Sequence, residues 1–329
     1  MTTAHFDLDA IKYAAASAGE SRTVKVTHKV SGRHISVPNR TAWYGHWKKK
    51  EGGKLAEINK GRETPFLVDD FTYEDVQTPE PIENVLHTAK VMVEKAIKEC
   101  GTSSAKYYIG KGDPFRVELS TLLKYKGQRS SSLKPLLLDD VAEYLTKKFG
   151  ADVVEDYEVD DVVVMNSYGK KDHFILGIDK DYAGSGSNFF NMSMPEKGIQ
   201  NTSGLGGLYI DSKGYVKGVG AMFKLFQVCS SDSSDNYAAN CVSDVKWGDK
   251  SAYNALKDCK NDKELFQASV GIFKLLYPEP KIVTGWRGNQ FEVDWLYVMQ
   301  ECVNMAHLHR KPSDFIDLKS VFEKLGVEV

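Results

Sequence analysis

Residues 158–181 read EVDDVVVMNSYGKKDHFILGIDKD. Glu158, Asp160 and Asp161 open the apolar run 162–165, which begins like a helix, and 174–178 reads as a buried strand running straight into Asp179 and Asp181. Acids at a helix start and a strand end stand where open α/β sheets collect their ligand groups. One acid at a helix start needs only the helix dipole to explain it. Several carboxylates beside a buried strand repel one another and lose hydration unless a cation neutralises them. The same stretch therefore predicts the fold class and a candidate site.

Composition sets the outer limits. A chain of 329 residues with 42% hydrophobic residues can bury a sizeable core, in one large domain or two. No run approaches the roughly 20 apolar residues of a membrane span, and MTTAHFDLDA lacks the regions of a signal peptide, so the expectation is a cytoplasmic protein with no membrane partner. Cys100, Cys229, Cys241, Cys259 and Cys302 show neither a C-x-x-C pair nor regular spacing with histidine, and read as buried free thiols. A net charge of −2 gives no global attraction to nucleic acid, so any such binding must rest on a local patch.

Working outward, 4–8 is a short strand carrying Asp7, followed by Asp9 and a helix over 10–18. FDLDA also fits the Asp-x-Asp start of haloacid-dehalogenase-like phosphatases, although that pattern continues to Thr or Val where this chain has Ile11. Residues 20–81 are polar and turn-rich, with a hairpin at 24–30 and 33–37. Within them, WYGHWKKK (43–50) mixes rings with lysines, suited either to bases and phosphates or to packing on the domain below. Residues 82–101 are an amphipathic helix, and 106–109 a core strand. From Lys106 to Lys134 there are then seven basic and two acidic residues. A helix there would put Lys126 and Arg129 on one face with Tyr125 beside them. A basic face with an aromatic edge suits a phosphate backbone and its terminal base, or is an ordinary solvated helix.

A helix over 136–149 and a strand over 151–154 lead to the acidic stretch. The glycines of 184–220 belong to turns around a strand at 188–192 and a hairpin at 208–216, because no phosphate-binding glycine pattern occurs. Apolar 222–228 runs into DSSDN (232–236), by itself a turn or cap. Residues 268–276 and 293–308 look helical, and His307 and His309 read as a surface pair near a helix end.

Taken in order, FDLDAIKY, FRVELSTLLKYKGQR with Pro135, EVDDVV, GIDKDY, DSSDN and WGDKSAYNAL resemble the 5′-nuclease superfamily of flap endonucleases and 5′→3′ exonucleases, especially the phage-type enzymes related to the 5′ domain of bacterial DNA polymerase I. The match covers residues 1–18 and about 105–260. The resemblance implies an α/β, PIN-like 5′-nuclease core: a mainly parallel sheet with helices on both faces, over 1–221, with an insertion at 20–81 and an arch or gateway at 116–135. A helical region with a helix–two-turn–helix-like element for duplex binding would follow over 222–329. It assigns Asp7, Glu158, Asp160, Asp161, Asp179, Asp181, Asp232 and Asp235 to metal binding, directly or through water. Lys126 and Arg129 would contact the scissile phosphate, Tyr125 would stack near the terminal nucleotide, Arg116 would steer the strand, and Lys124 and Lys134 would add substrate contacts.

Two Mg²⁺ or Mn²⁺ ions, about 3.5–4 Å apart, would activate water and leave a 5′-phosphate, and K⁺ is implied at the helix–two-turn–helix-like element. The implied partner is DNA with a 5′ end, nick or flap, or RNA paired to DNA, in the host cytoplasm if the protein is phage-encoded. Two positions depart from the family. Ile109-Gly110-Lys111-Gly112-Asp113 stands where an Asp directly follows the second strand, leaving Asp113 to take that role from a shifted position or the role absent. Lys246 stands at the first glycine of the helix–two-turn–helix. A non-catalytic nucleic-acid-binding relative is the alternative, and the phosphatase the third reading.

Overall fold

The structure, a computed structural model, describes residues 2–46 and 52–329. The chain divides into two compact units, one of residues 1–10, 92–133 and 145–329, the other of residues 11–91 and 134–144.

The larger unit is α/β. Its six-stranded sheet runs in the order Asp152–Val154, Ser104–Gly110, Thr3–Asp7, His173–Gly177, Asn188–Asn191, Ile199–Asn201, and every pairing is parallel except the last. The inner strands are buried along their length, as Ala4, Phe6, Phe174, Ile175 and Leu176 show. Strands buried on both faces read as continuous apolar runs, which is why 174–178 was legible without alternation. Helix Val159–Ser167 packs on the three strands around Thr3–Asp7. From Thr3–Asp7 the chain builds the sheet first to one side, through Ser104–Gly110 and Asp152–Val154, then to the other, through His173–Gly177 and Asn188–Asn191. The connections diverge at the carboxyl ends of Thr3–Asp7 and His173–Gly177, the switch point where open sheets leave a crevice.

Helices Gly220–Cys229, Asp249–Leu256, Asp262–Leu276, Trp295–Ala306 and Leu318–Leu325 share one core cluster with Leu122 and Tyr125. Because that cluster draws on residues before and after 221, the chain does not divide at 221/222 as expected; the helical region belongs to the same unit as the sheet. WGDKSAYNAL forms helix Asp249–Leu256 with Gly248 as its N-cap, and residues 257–261 join that helix to Asp262–Leu276. His307 and His309 are not a surface pair: each is 1% exposed. The chain turns inward after helix Trp295–Ala306, so His309 stacks on Phe115 with ring centroids 4.6 Å apart and His307 Nε2 lies 3.0 Å from Asp314. No helix among the described residues is long and apolar enough to cross a membrane.

The smaller unit contains an antiparallel sheet in the order His34–Val37, Glu20–His28, Phe71–Pro79. The first two strands are the expected hairpin. The third, FTYEDVQTP, carries little strand signal, because it is an edge strand whose acids face water and which ends in proline. Trp43, fully buried with Val24, Val26, Val37, Leu55 and Phe71, belongs to this unit's own core, so of the two readings of WYGHWKKK this ring follows the packed one. Trp47 and Lys48, Lys49 and Lys50 lie outside the described residues.

Candidate functional site

Asp7 closes strand Thr3–Asp7, at the centre of the crevice. Asp179 follows strand His173–Gly177 and caps the 3₁₀ turn Lys180–Gly184, its Oδ1 accepting from the Asp181 amide at 2.9 Å. Asp160 stands in the first turn of helix Val159–Ser167. Asp232 and Asp235 come from the turn after helix Gly220–Cys229, where Asp232 Oδ1 accepts from the amides of Ser234 at 2.7 Å and Asp235 at 3.3 Å, an Asx-type turn.

Buried Tyr182 joins two of these segments. Its hydroxyl lies 2.9 Å from Asp7 Oδ2 and 2.7 Å from Asp160 Oδ1. A phenol has one proton to donate, so the pair is best satisfied when one carboxyl keeps a proton of its own. Nothing in the sequence marked Tyr182 beyond its place after DKD. Asp181 accepts a hydrogen bond from the Gln227 amide, a contact that spacing could not reveal.

Most of the cluster resists ionisation. Burial, then Asp9, push Asp7 up to about 7. Burial, then Asp179, push Asp181 up to about 8. Burial raises Asp235 to about 6 against the opposing charge of Lys126, with Glu158, Asp232 and Asp179 adding to the rise. Asp160 is held well above the carboxylate range by burial, Asp179 and Asp7, and Asp179 is raised by burial. Two acids go the other way: burial would raise Asp232 and Glu158, but Lys180 with Ser234, and Arg116 with Lys126, hold them below their usual values. Oxygen-only donors with mutual repulsion uncompensated on the Asp7 and Asp160 side suit a hard divalent cation such as Mg²⁺ or Mn²⁺. Asp7, Asp160, Asp179, Asp181, Asp232 and Asp235 are the residues that could hold it.

Glu158 and Asp161, also expected among the metal ligands, are engaged elsewhere. Arg116 grips Asp161 through two parallel bonds, Nη1 to Oδ2 at 2.6 Å and Nη2 to Oδ1 at 2.9 Å, while the His309 amide reaches Oδ1 at 2.9 Å. Asp161 is fully buried and its lone pairs are largely spent inside the protein. Glu158 accepts from Arg116 at 3.0 Å, from the Tyr125 hydroxyl at 2.6 Å and from Lys126. Arg116 is 1% exposed, so the expected strand-steering role gives way to that of an internal counter-cation. Tyr125 is 3% exposed and its ring belongs to the core, so it has no free face on which a nucleotide could stack. Arginine and tyrosine in a basic segment read as surface groups; only their buried acidic partners turn them inward.

The remaining basic residues divide. Lys126 and Arg129 are not on one α-helix: Lys126 has a left-handed φ of 51° and precedes the 3₁₀ turn Gly127–Ser131. The two still converge, each placing a nitrogen 3.7 Å from Asp235 Oδ1. Both keep exposed surface at the rim of the acids. Exposed Lys124 lies with its ammonium 5.5 Å from the Trp286 ring centroid. Lys134 belongs to the smaller unit, where its carbonyl accepts from Gln77 at 2.8 Å. Asp113 is exposed, and Asp9 is the acid at the end of Ser104–Gly110, its Oδ1 accepting from the Gly110 amide at 2.9 Å. A Cβ at Gly110 would meet Asp9 Oδ2 at 2.7 Å, so a larger residue there would have to displace that carboxylate.

These shifts carry a pH prediction. Asp7, Asp181 and Asp235 are raised above 3.8, so the folded chain keeps protons that the unfolded chain has released, and their contribution to stability falls as pH rises from about 4 through 8. His307, lowered to about 2 by burial, and Lys224, lowered to about 7 by burial, act in the opposite sense, but equally with and without metal. The gain in Tm from Mg²⁺ over EDTA should therefore grow from about pH 5.5 to about pH 8.5, as protons cease to compete for the acids. A gain that is flat across this range would show that these carboxyls do not bind the ion. Searches of protein-family models, curated proteins and solved structures find no match to this chain.

Proposed function

We propose that this chain is a metal-dependent 5′-nuclease with a PIN-like core, hydrolysing phosphodiester bonds at DNA 5′ ends, nicks or flaps, or in RNA paired to DNA. The observation that supports this most is the gathering of Asp7, Asp160, Asp179, Asp181, Asp232 and Asp235 from separate segments at the sheet's switch point, with Lys126 and Arg129 at the rim. When bound, divalent ions there would supply an activated water and neutralise charge on the phosphoryl oxygens.

The chain's own residues supply the rest. Tyr182 orients Asp7 and Asp160 and can hold a proton between them. Lys126 and Arg129 can leave Asp235 for a phosphate, placing positive charge where it develops in the transition state. Arg116 keeps helix Val159–Ser167, and with it Asp160, in position by locking Asp161. The helix–two-turn–helix-like element around Gly248 and helix Asp249–Leu256 would hold duplex, with K⁺ bound there.

The test is cleavage of an internally labelled flap, a nicked duplex and a single strand in Mg²⁺ and in EDTA. Mono- or short oligonucleotides released from the 5′ side only with metal are the expected products. Tight binding without cleavage in either Mg²⁺ or Mn²⁺ would replace this reading with a non-catalytic binding protein.

A further inference from the structure

One side of the acid cluster already holds a cation. Lys180, between the two acids of DKD, extends its ammonium to 2.6 Å from Asp232 Oδ2. Asp232 is 2% exposed, whereas the lysine side chain is 51% exposed. The stem therefore lies in water and only the head reaches the acids, an arrangement that can swing away without opening the core. The position is set by the backbone: Asp179 caps the turn that begins at Lys180, and the Asx-type turn spends Asp232 Oδ1 on the amides of Ser234 and Asp235, leaving Oδ2 for the ammonium.

The opposite side differs. Asp7 and Asp160 meet the Tyr182 hydroxyl, a neutral donor, and the charges acting most strongly on them are other carboxylates. As the side chains lie, no three His, Cys, Asp or Glu among the described residues form a ready-made ion site. The cluster is thus divided into a side where the carboxylates act most strongly on one another, the nearby Lys126 being engaged by Glu158, and a side where an ammonium sits directly on Asp232.

We infer that Lys180 is a resident counter-cation on the Asp232 side, so that the protein takes one divalent ion tightly beside Asp7 and Asp160 and a second only by displacing the lysine. This rests on the reading of the acids as a cation centre and adds an order to their occupation. The ammonium spares the empty cluster part of its repulsion, and it makes the second ion dependent on anything that draws Lys180 outward. An incoming phosphate is such a group, because it offers the lysine an alternative anionic partner.

The measurement is Mn²⁺ binding to the full metal-free chain, followed by calorimetry and by the spin-resonance signal of free Mn²⁺, for the wild type, Lys180→Gln and Lys180→Arg. Expected are one tight and one weak ion in the wild type. In Lys180→Gln the second should tighten by at least about tenfold, as removal of a like charge at a partly screened distance requires, while the first changes little. Lys180→Arg should keep the weak second ion. Far-ultraviolet dichroism confirms that each variant is folded. Unchanged or weaker second-ion binding in Lys180→Gln, with the tight ion retained, would overturn the role of Lys180 and leave the cation centre standing. No Mn²⁺ binding by any of the three proteins would overturn both.

Discussion

Asp179→Asn should lose metal-dependent cleavage by more than about 10²-fold, the scale on which removing one group that stabilises transition-state charge acts. It should do so without harming the fold. The Asn side-chain oxygen can still accept from the Asp181 amide and so cap the turn Lys180–Gly184, and the substitution preserves volume. It also removes a charge that acts on Asp160, Asp181 and Asp7. In EDTA the variant should therefore melt at a higher temperature than the wild type, most clearly near pH 8, where the wild-type acids are closest to full ionisation. Lost activity together with raised metal-free stability marks a carboxylate kept for cation binding at the expense of the empty fold. Retained metal-dependent cleavage would remove Asp179 from the centre, and lowered metal-free stability would mean its role is structural.

Arg116→Met should destabilise the larger unit by about 3–5 kcal/mol, the cost of breaking a buried ion pair and leaving one partner charged. The arginine donates to Asp161 twice, to Glu158, and to the carbonyls of Met305 and His307, so its loss leaves buried acceptors unmatched on two chain segments, 158–161 and 305–307. Adding Asp161→Asn should recover part of the loss, because the uncompensated charge is then gone. Urea unfolding of the wild type, the single variant and the double variant gives the three values needed. A residue that merely steered a nucleic-acid strand would behave otherwise: its replacement would weaken substrate binding and leave the urea midpoint near that of the wild type. A cost under about 1 kcal/mol would therefore return Arg116 to the substrate surface.

The strand read at 174–178 is His173–Gly177 in the fold, recognisable because parallel strands covered on both faces are apolar throughout, with exposed Ile178 leading out of it into DKD at the carboxyl end. Helices Ile82–Cys100 and Leu138–Phe149 announced themselves by periodicity. FTYEDVQTP did not, because an edge strand exposed to water carries too little apolar pattern to separate it from a loop. Lys126 and Arg129 were brought to the acids as expected but by a left-handed residue and a 3₁₀ turn, which no three-residue spacing reveals. His307 and His309 are buried against expectation, because a polar residue just past a helix end is ordinarily solvated and only the inward turn of the chain buries them.

The α/β class, the order of the acidic segments and the basic character of the stretch facing them can be read along the chain, because strand burial, helix periodicity and formal charge are local properties. Which acids are paired inside the protein and which face one another depends on contacts across the fold. Asp160 and Asp161 are adjacent and chemically identical, yet one lies beside Asp7 and Tyr182 while the other is held by Arg116, because neighbouring positions on a helix point about 100° apart. Lys180, flanked by acids in the chain, likewise became a counter-cation to Asp232 only when the fold carried that residue across to it. Long-range contacts of this kind depend on which side chains arrive from distant segments, and no window of sequence contains them.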